Sequence, residues 1–171
     1  MLILKGPEDC MTEKLLEIKN LTTVFNTGNG RIKAVDDLSI YLNKGEILGL
    51  VGESGCGKSV TSLSVMGLIP SPPGKIDAGN ILYKGEDLVK ASSGRLRKIR
   101  GNEIAMIFQE PMTSLNPVFT VGNQISEVVE IHEKVSRKEA LPKVMNILKA
   151  VSIPEPEQRY REYPHQLSGG M

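Results

Sequence analysis

Residues 52–59 read Gly52-Glu53-Ser54-Gly55-Cys56-Gly57-Lys58-Ser59 and match the pattern G-x-x-x-x-G-K-[ST], the Walker A motif or P-loop. A polyphosphate is best bound by a concave row of backbone N–H groups at a helix start, where the helix dipole adds positive potential. The glycines let the backbone turn and approach the phosphates without an intervening Cβ. We therefore predict a phosphate-binding loop in which Lys58 reaches the β- and γ-phosphates of a nucleotide and the Ser59 hydroxyl ligates Mg²⁺.

The residues on either side of this loop fit the same prediction. Residues 46–51 form a short apolar run of the kind found in buried strands. After the loop, Val60, Leu63 and Met66 follow at near-helical spacing, and Pro70 ends the pattern. The predicted order is strand, glycine loop, helix. The alternative is an ordinary glycine turn with a surface lysine.

Composition limits the classes of protein to which the chain can belong. Its 171 residues are 40% hydrophobic and 24% charged, which is typical of a soluble globular domain with a core. A net charge of +1 gives no argument for a nucleic-acid partner. The two cysteines are too few for a disulfide framework and favour a reducing cytosol. No apolar run approaches the ~20 residues that span a bilayer.

The first part of the chain predicts an extension followed by a β-hairpin. Residues 1–10 do not resemble the start of a domain, whereas the stretch from Met11 does, so Met11 is a plausible natural start and we expect the first ten residues to be an extension. Strands are predicted over residues 15–25 and 34–42, and the turn residues at 26–30 between them favour antiparallel pairing.

Phe25 has two possible roles. An aromatic ring upstream of a P-loop can stack on adenine, whose flat face needs no particular hydrogen-bond pattern. The alternative is an aromatic residue that only packs in the core or on an edge strand.

The middle of the chain contains two further features of interest. The basic residues Arg95, Arg97, Lys98 and Arg100 are compatible with a nucleic-acid patch, although a solvated helix face is favoured because the chain is nearly neutral. Residues 104–108 are predicted to form a buried strand that ends at Gln109. A glutamine there can offer its amide to a metal or a water at the edge of the sheet where α/β proteins bind ligands. Taken alone, Gln109 would be only a loop residue.

From Val118 onward the pattern becomes helical. Val121, Ile125 and Val129 mark one face of a first helix. Residues 136–139 match a capping box at the start of a second helix. Pro142 conflicts with that start, so the second helix is predicted either to begin at Pro142 or to be kinked there.

The end of the chain carries the most specific resemblance. Leu167-Ser168-Gly169-Gly170 matches the signature of ABC-transporter ATP-binding subunits, with Met171 where that family most often has glutamine. The P-loop, the Gln109 loop and this signature occur in the family's order. From Leu15 to Met171 the chain resembles the branch that powers dipeptide and oligopeptide import, and also nickel import.

The resemblance implies a fold and a set of site residues. The fold is an α/β P-loop NTPase of the ABC ATP-binding type, with an antiparallel β subdomain, a helical subdomain and an incomplete C-terminus. We expect an extension over residues 1–14, a nucleotide-binding core with the β subdomain over 15–117 and the helical subdomain over 118–171. Lys58 and Gln109 are the catalytic candidates, Ser59 and Gln109 the Mg²⁺ ligands, and Phe25 the adenine contact. The other candidate ATP contacts lie in the P-loop and in the signature: Gly52, Glu53, Ser54, Gly55, Cys56, Gly57, Val60, Ser168, Gly169 and Gly170.

The resemblance also implies partners. Ser168, Gly169 and Gly170 would contact ATP held by a second ATP-binding subunit, identical or not. The Gln109 loop would face membrane permease subunits, with a solute-binding protein outside, and the chain would be cytoplasmic and peripheral on the inner face of the cell membrane. No nucleic-acid partner is expected.

Several family elements do not occur before Met171, namely a strand ending in Asp-Glu, a loop aspartate and a switch histidine. We therefore expect the N-terminal part of an ATPase subunit, which does not hydrolyse ATP alone. One alternative is a soluble ABC ATPase without a transport role. Another is a different P-loop protein such as a kinase or GTPase, although the sequence lacks an N-K-x-D motif.

Overall fold

The structure is a computed structural model that describes residues 2–4, 13–109 and 114–171. The chain divides into two compact units, residues 1–100 and residues 101–171. Within the described residues no helix is long and apolar enough to cross a membrane. The predicted domain boundaries at residues 14 and 117 stay predictions.

The first unit is built around an antiparallel sheet. Its strands β2 (Lys14–Thr27), β3 (Gly30–Asn43), β5 (Gly74–Tyr83) and β6 (Glu86–Asp87) lie in the order β3-β2-β5-β6. The predicted β2–β3 hairpin is confirmed, with its turn at residues 28–29. Apolar residues of β2 and β5 are fully buried and form the core of this unit, namely Ile18, Leu21, Val24 and Ile81.

The strand that precedes the glycine loop is shorter and more exposed than predicted. Strand β4 covers only Gly49–Val51 and pairs antiparallel with β1 (Leu2–Leu4), which falls within the expected extension. The side chain of Ile47 is 90% exposed. The prediction of a buried strand over residues 46–51 is therefore wrong, because an apolar run is buried only where neighbouring elements cover it, and β1 is its sole strand partner among the described residues.

The described residues of the first unit also form two helices. Helix α1 (Lys58–Val65) follows the glycine loop as predicted. Helix α2 (Ser93–Ile99) begins at the N-cap residue Ser92, whose hydroxyl accepts a hydrogen bond from the backbone N–H of Arg95. Arg97 and Lys98 are exposed on α2, which fits the solvated helix face that the sequence favoured.

The second unit is helical. It contains α3 (Val121–Glu133), α4 (Arg137–Ala150), the short helix α5 (Pro156–Arg159) and a 3₁₀ turn over Pro164–Gln166. Helices α3 and α4 pack together through a buried apolar cluster formed by Val129, Ala140, Val144 and Leu148. Val129 belongs to this cluster and Ile125 packs against it, which agrees with the apolar helix face predicted from the sequence.

The predicted capping box is confirmed at the start of α4. The backbone N–H of Ser136 donates to Glu139 Oε2 at 2.8 Å, and the Ser136 hydroxyl donates to the same oxygen at 2.7 Å. The helix begins at Arg137 and continues through Pro142. Of the two alternatives for Pro142, a start at that residue is therefore wrong.

The predicted buried strand over residues 104–108 is wrong. Ile104 makes an isolated bridge, residues 105–108 have no regular secondary structure, and the side chain of Ile107 is 91% exposed. A strand of this kind requires pairing on both edges. Among the residues that the structure describes, none pairs with residues 105–108 as a strand.

Candidate functional site

The glycine loop is held in a conformation that requires glycine. Gly55 and Gly57 have φ values of +81° and +94°, in the left-handed region that residues with a Cβ rarely adopt. Gly57 is the N-cap of α1 and is buried against β3, where an added Cβ would lie 2.3 Å from the carbonyl oxygen of Ala34. The loop therefore turns into the helix at a point where only glycine fits.

Lys58, the first residue of α1, folds back across the loop. Its Nζ donates to the carbonyl oxygens of Gly52 and Glu53, both at 2.7 Å, and lies 3.5 Å from Cys56 Sγ. The two oxygen acceptors are neutral, so a polyphosphate offers this ammonium group a stronger, charged partner. The arrangement places one positive charge over the concave side of a loop at a helix N-terminus.

Small polar side chains on the buried face of α1 form hydrogen bonds there, and the sequence analysis did not predict this role for them. Thr61 is buried, and both its backbone N–H and its hydroxyl donate to the carbonyl oxygen of Gly57, at 2.8 and 3.0 Å. Ser64 is also buried and shares a hydrogen bond of 2.9 Å with the Thr23 hydroxyl on β2. Their spacing of three residues on one helix face was the available signal.

The other predicted residues of the P-loop cluster around this point. Glu53, Ser54 and Ser59 are exposed, and Val60 is half-buried in the first turn of α1. Beside the loop lies a cavity of about 560 Å³, lined by residues 33–39 of β3 together with Gly55, Cys56 and Thr61. Residues 52–60 therefore lie next to this cavity.

Phe25 lies on β2, paired with Ile32 and Gly74 in the sheet. Its half-buried ring covers Gly74, where an added Cβ would lie 2.7 Å from Phe25 Cε1. This contact agrees with the packing interpretation, and the contact with adenine stays a prediction.

The remaining site candidates belong to the second unit. Gln109 is exposed at the end of the irregular segment, and the four residues that follow it lie outside the described residues. Ser168, Gly169 and Gly170 are exposed beyond the 3₁₀ turn, where the backbone N–H of Met171 donates to the carbonyl oxygen of Ser168 at 2.9 Å. A Cβ added at Gly169 or Gly170 would meet no atom within 4 Å.

No group of three or more metal-ligating His, Cys, Asp or Glu side chains occurs among the described residues. The exposed Ser59 hydroxyl at the start of α1 is the oxygen ligand that the P-loop pattern predicts for Mg²⁺.

A glycine loop in the left-handed conformation that leads into a helix beginning with lysine defines a P-loop nucleotide-binding protein. The sequence model of the family described as "ABC transporter" matches residues 35–171, and the chain belongs to this family.

The chain is also similar to ATP-binding proteins that are named for peptide transport. The chain is 50% identical over 158 residues to the oligopeptide transport ATP-binding protein OppD of Bacillus subtilis (strain 168), covering 92% of this chain and 44% of that protein. It is 50% identical over 159 residues to the dipeptide transport ATP-binding protein DppD of the same strain, covering 93% of this chain and 48% of that protein. The chain thus spans about half the length of the curated relatives it matches.

Solved structures confirm the predicted fold class. The dimeric structure of MJ0796, a bacterial ABC transporter cassette, superposes with a TM-score of 0.75 at 24% identity, over 91% of this chain and 64% of that one. A post-hydrolysis state of the same cassette, bound to ADP and Pi, gives a TM-score of 0.72 at 25% identity. The fold is that of an ABC ATP-binding cassette.

Proposed function

We propose that the chain is the nucleotide-binding part of an ATPase subunit of an ABC importer, which couples ATP binding and hydrolysis to peptide transport. The observation that carries this proposal is the ammonium group of Lys58 over a left-handed glycine loop at the start of α1. The importer branch is supported by the identity of about 50% to proteins named for oligopeptide and dipeptide transport.

The residues of the loop fit a bound nucleotide. A side chain at Gly57 would collide with β3, so glycine allows the turn that leads from the loop into the helix. Lys58 would exchange its two carbonyl acceptors for the β- and γ-phosphates of ATP. The Ser59 hydroxyl of the first unit would ligate Mg²⁺, which would supply positive charge against the phosphates. A role of the Gln109 amide as a Mg²⁺ ligand stays a prediction. Phe25 would stack on adenine.

The signature and the Gln109 loop would act between subunits. We propose that Ser168, Gly169 and Gly170 contact ATP held by a second ATP-binding subunit. Their exposure and the open space around both glycines favour a contact of this kind. The Gln109 loop would contact the permease subunits at the inner face of the membrane, and a solute-binding protein would deliver the peptide from outside.

Differential alkylation of the two cysteines tests the nucleotide site in the wild-type chain. Cys56 lies in the loop, whereas Cys10 lies outside the motif and provides an internal control. We expect ATP–Mg²⁺ to protect Cys56 from iodoacetamide without changing the rate at Cys10. Equal rates at Cys56 with and without nucleotide would contradict the proposed site.

Competition with GTP distinguishes an ATP site from that of a GTPase.

Co-purification tests the transport role. We expect the subunit to be recovered with permease subunits when both are expressed together. Recovery without permease, with ATP binding intact, would favour a soluble ABC ATPase instead.

A further inference from the structure

The C-terminal end of α1 is closed by a glycine and an arginine. Gly67 has a φ of +60°, and its backbone N–H donates to the carbonyl oxygen of Ser64 at 3.0 Å. The N–H of Leu68 donates to the carbonyl oxygen of Leu63 at 2.8 Å, which completes a Schellman motif. These two bonds do not involve the carbonyl groups of Met66 and Gly67, which follow the last residue of the helix.

Arg100 supplies the donors for both of these carbonyl groups. Its Nε donates to the carbonyl oxygen of Met66 at 2.7 Å, and its Nη2 donates to that of Gly67 at 2.6 Å. The side chain is half-buried, and it reaches α1 from the residue that ends α2. A planar guanidinium can direct two parallel N–H groups in this way, and its charge is favourable at the negative end of the helix dipole.

Gly67 is required for this close approach. An added Cβ would lie 2.9 Å from Arg100 Nη2 and 3.2 Å from Leu96 Cδ1. The sequence pattern placed Arg100 with the exposed basic residues of α2, but its two hydrogen bonds give it a different environment from that of Arg97.

We propose that Arg100 is a positioning residue for nucleotide binding and acts on the P-loop through α1. This inference rests on the proposed function. Helix α1 has eight residues, so its two ends are separated by roughly 12 Å of rigid helix. At the N-terminal end Gly57 lies against Ala34 of β3. At the C-terminal end Ser64 bonds to Thr23, and Arg100 bonds to the carbonyl groups of Met66 and Gly67.

Release of one end of a short helix allows the other end to shift. Phosphate recognition by backbone N–H groups depends on placement to within about 0.5 Å. Loss of Arg100 should therefore weaken the binding of ATP even though the side chain does not belong to the P-loop.

The experiment compares ATP–Mg²⁺ affinity and dissociation rate in the wild-type chain, Arg100→Ala, Arg100→Lys and Arg97→Ala, well below the melting temperature of each. Arg97→Ala is the matched control, because it removes the same charge from the exposed face of the same helix. We expect Arg100→Ala to weaken affinity on the order of tenfold, Arg100→Lys on the order of threefold, and Arg97→Ala to match the wild type.

Chemical rescue tests whether the guanidinium group itself is what the nucleotide site requires. Ethylguanidinium at low concentration should restore affinity to Arg100→Ala and leave Arg97→Ala unchanged, relative to sodium chloride at equal ionic strength. Loss of affinity without such rescue overturns the inference, as does an Arg100→Ala affinity equal to that of Arg97→Ala. If Arg100→Ala does not fold, an Arg100→Lys affinity equal to the wild type overturns it.

Failure of the proposed function has a different signature. If the wild-type chain does not bind ATP at all, that function is contradicted together with this inference. If the wild-type chain binds ATP and all three variants bind it equally well, only the role of Arg100 is contradicted.

Discussion

The P-loop and the signature are both rich in glycine, but the surrounding protein constrains them differently. Gly57 is buried with a left-handed φ, and the Ala34 carbonyl leaves no space for a side chain. Gly169 and Gly170 are exposed, and an added Cβ at either would meet no atom within 4 Å. Glycine at position 57 is therefore required by the fold of the first unit. Among the residues that the structure describes, nothing requires glycine at positions 169 and 170.

This difference separates two reasons for a glycine in a motif. One reason is internal, because the backbone must take a conformation or an approach that a Cβ prevents. The other reason is external, because a binding partner must come close to the backbone. The proposed contact between the signature and ATP on a second subunit is of the external kind.

The largest expected effect is that of alanine at position 57. Gly57→Ala introduces a steric overlap with Ala34 and a strained φ, so we expect the free energy of unfolding to fall by about 2–4 kcal/mol. Gly170→Ala is the matched control and should change stability by less than about 0.5 kcal/mol. Urea denaturation followed by circular dichroism measures both. Equal losses in the two variants would contradict the comparison.

A smaller effect is expected at a packed glycine of the second unit. A Cβ at Gly122 on α3 would lie 2.3 Å from the Tyr160 ring, so Gly122→Ala should cost about 1–3 kcal/mol. Tyr160→Phe, which removes only the hydroxyl bound to Ser126 at 3.1 Å, should cost about 1 kcal/mol. Thermal melting checks both values. If Gly122→Ala leaves the melting temperature unchanged, the helical unit makes room for the added methyl group, as the P-loop does not.

The smallest effect is the pH dependence of the α4 capping box. The hydrogen bonds from Ser136 lower the pKa of the exposed Glu139 carboxylate below its ordinary value. A lowered folded-state pKa gives stability that is present above the unfolded value of about 4.3 and is lost as pH falls through the folded value. In Glu139→Gln, the melting temperature of the second unit should therefore fall less between neutral and acidic pH than it does in the wild type. An unchanged acid profile in Glu139→Gln would contradict this role.

The sequence predicted the features that depend on local patterns. The hairpin of β2 and β3, the turn of the P-loop, helix α1 and the Ser136–Glu139 capping box are each specified by residues close together in the chain. The fold class was implied by the family resemblance that three motifs in a fixed order carry.

The features that were missed depend on residues distant in the chain. Burial of residues 46–51 and 104–108 would require neighbouring strands, which an apolar run does not supply. Arg100 looks like Arg97 in the sequence, and only tertiary structure reveals its bonds to the end of α1. Pairing of β1 with β4 is likewise non-local.

The central claim is that the P-loop in the first unit binds ATP through Lys58. Isothermal titration calorimetry with ATP–Mg²⁺ tests it most directly, with Lys44→Ala as a control that removes a lysine from an exposed turn outside the loop. We predict that the wild-type chain and Lys44→Ala bind ATP equally well. Lys58→Ala should bind at least on the order of tenfold more weakly, because it loses a charge-assisted contact to the phosphates. An unchanged ATP affinity in Lys58→Ala would contradict the account.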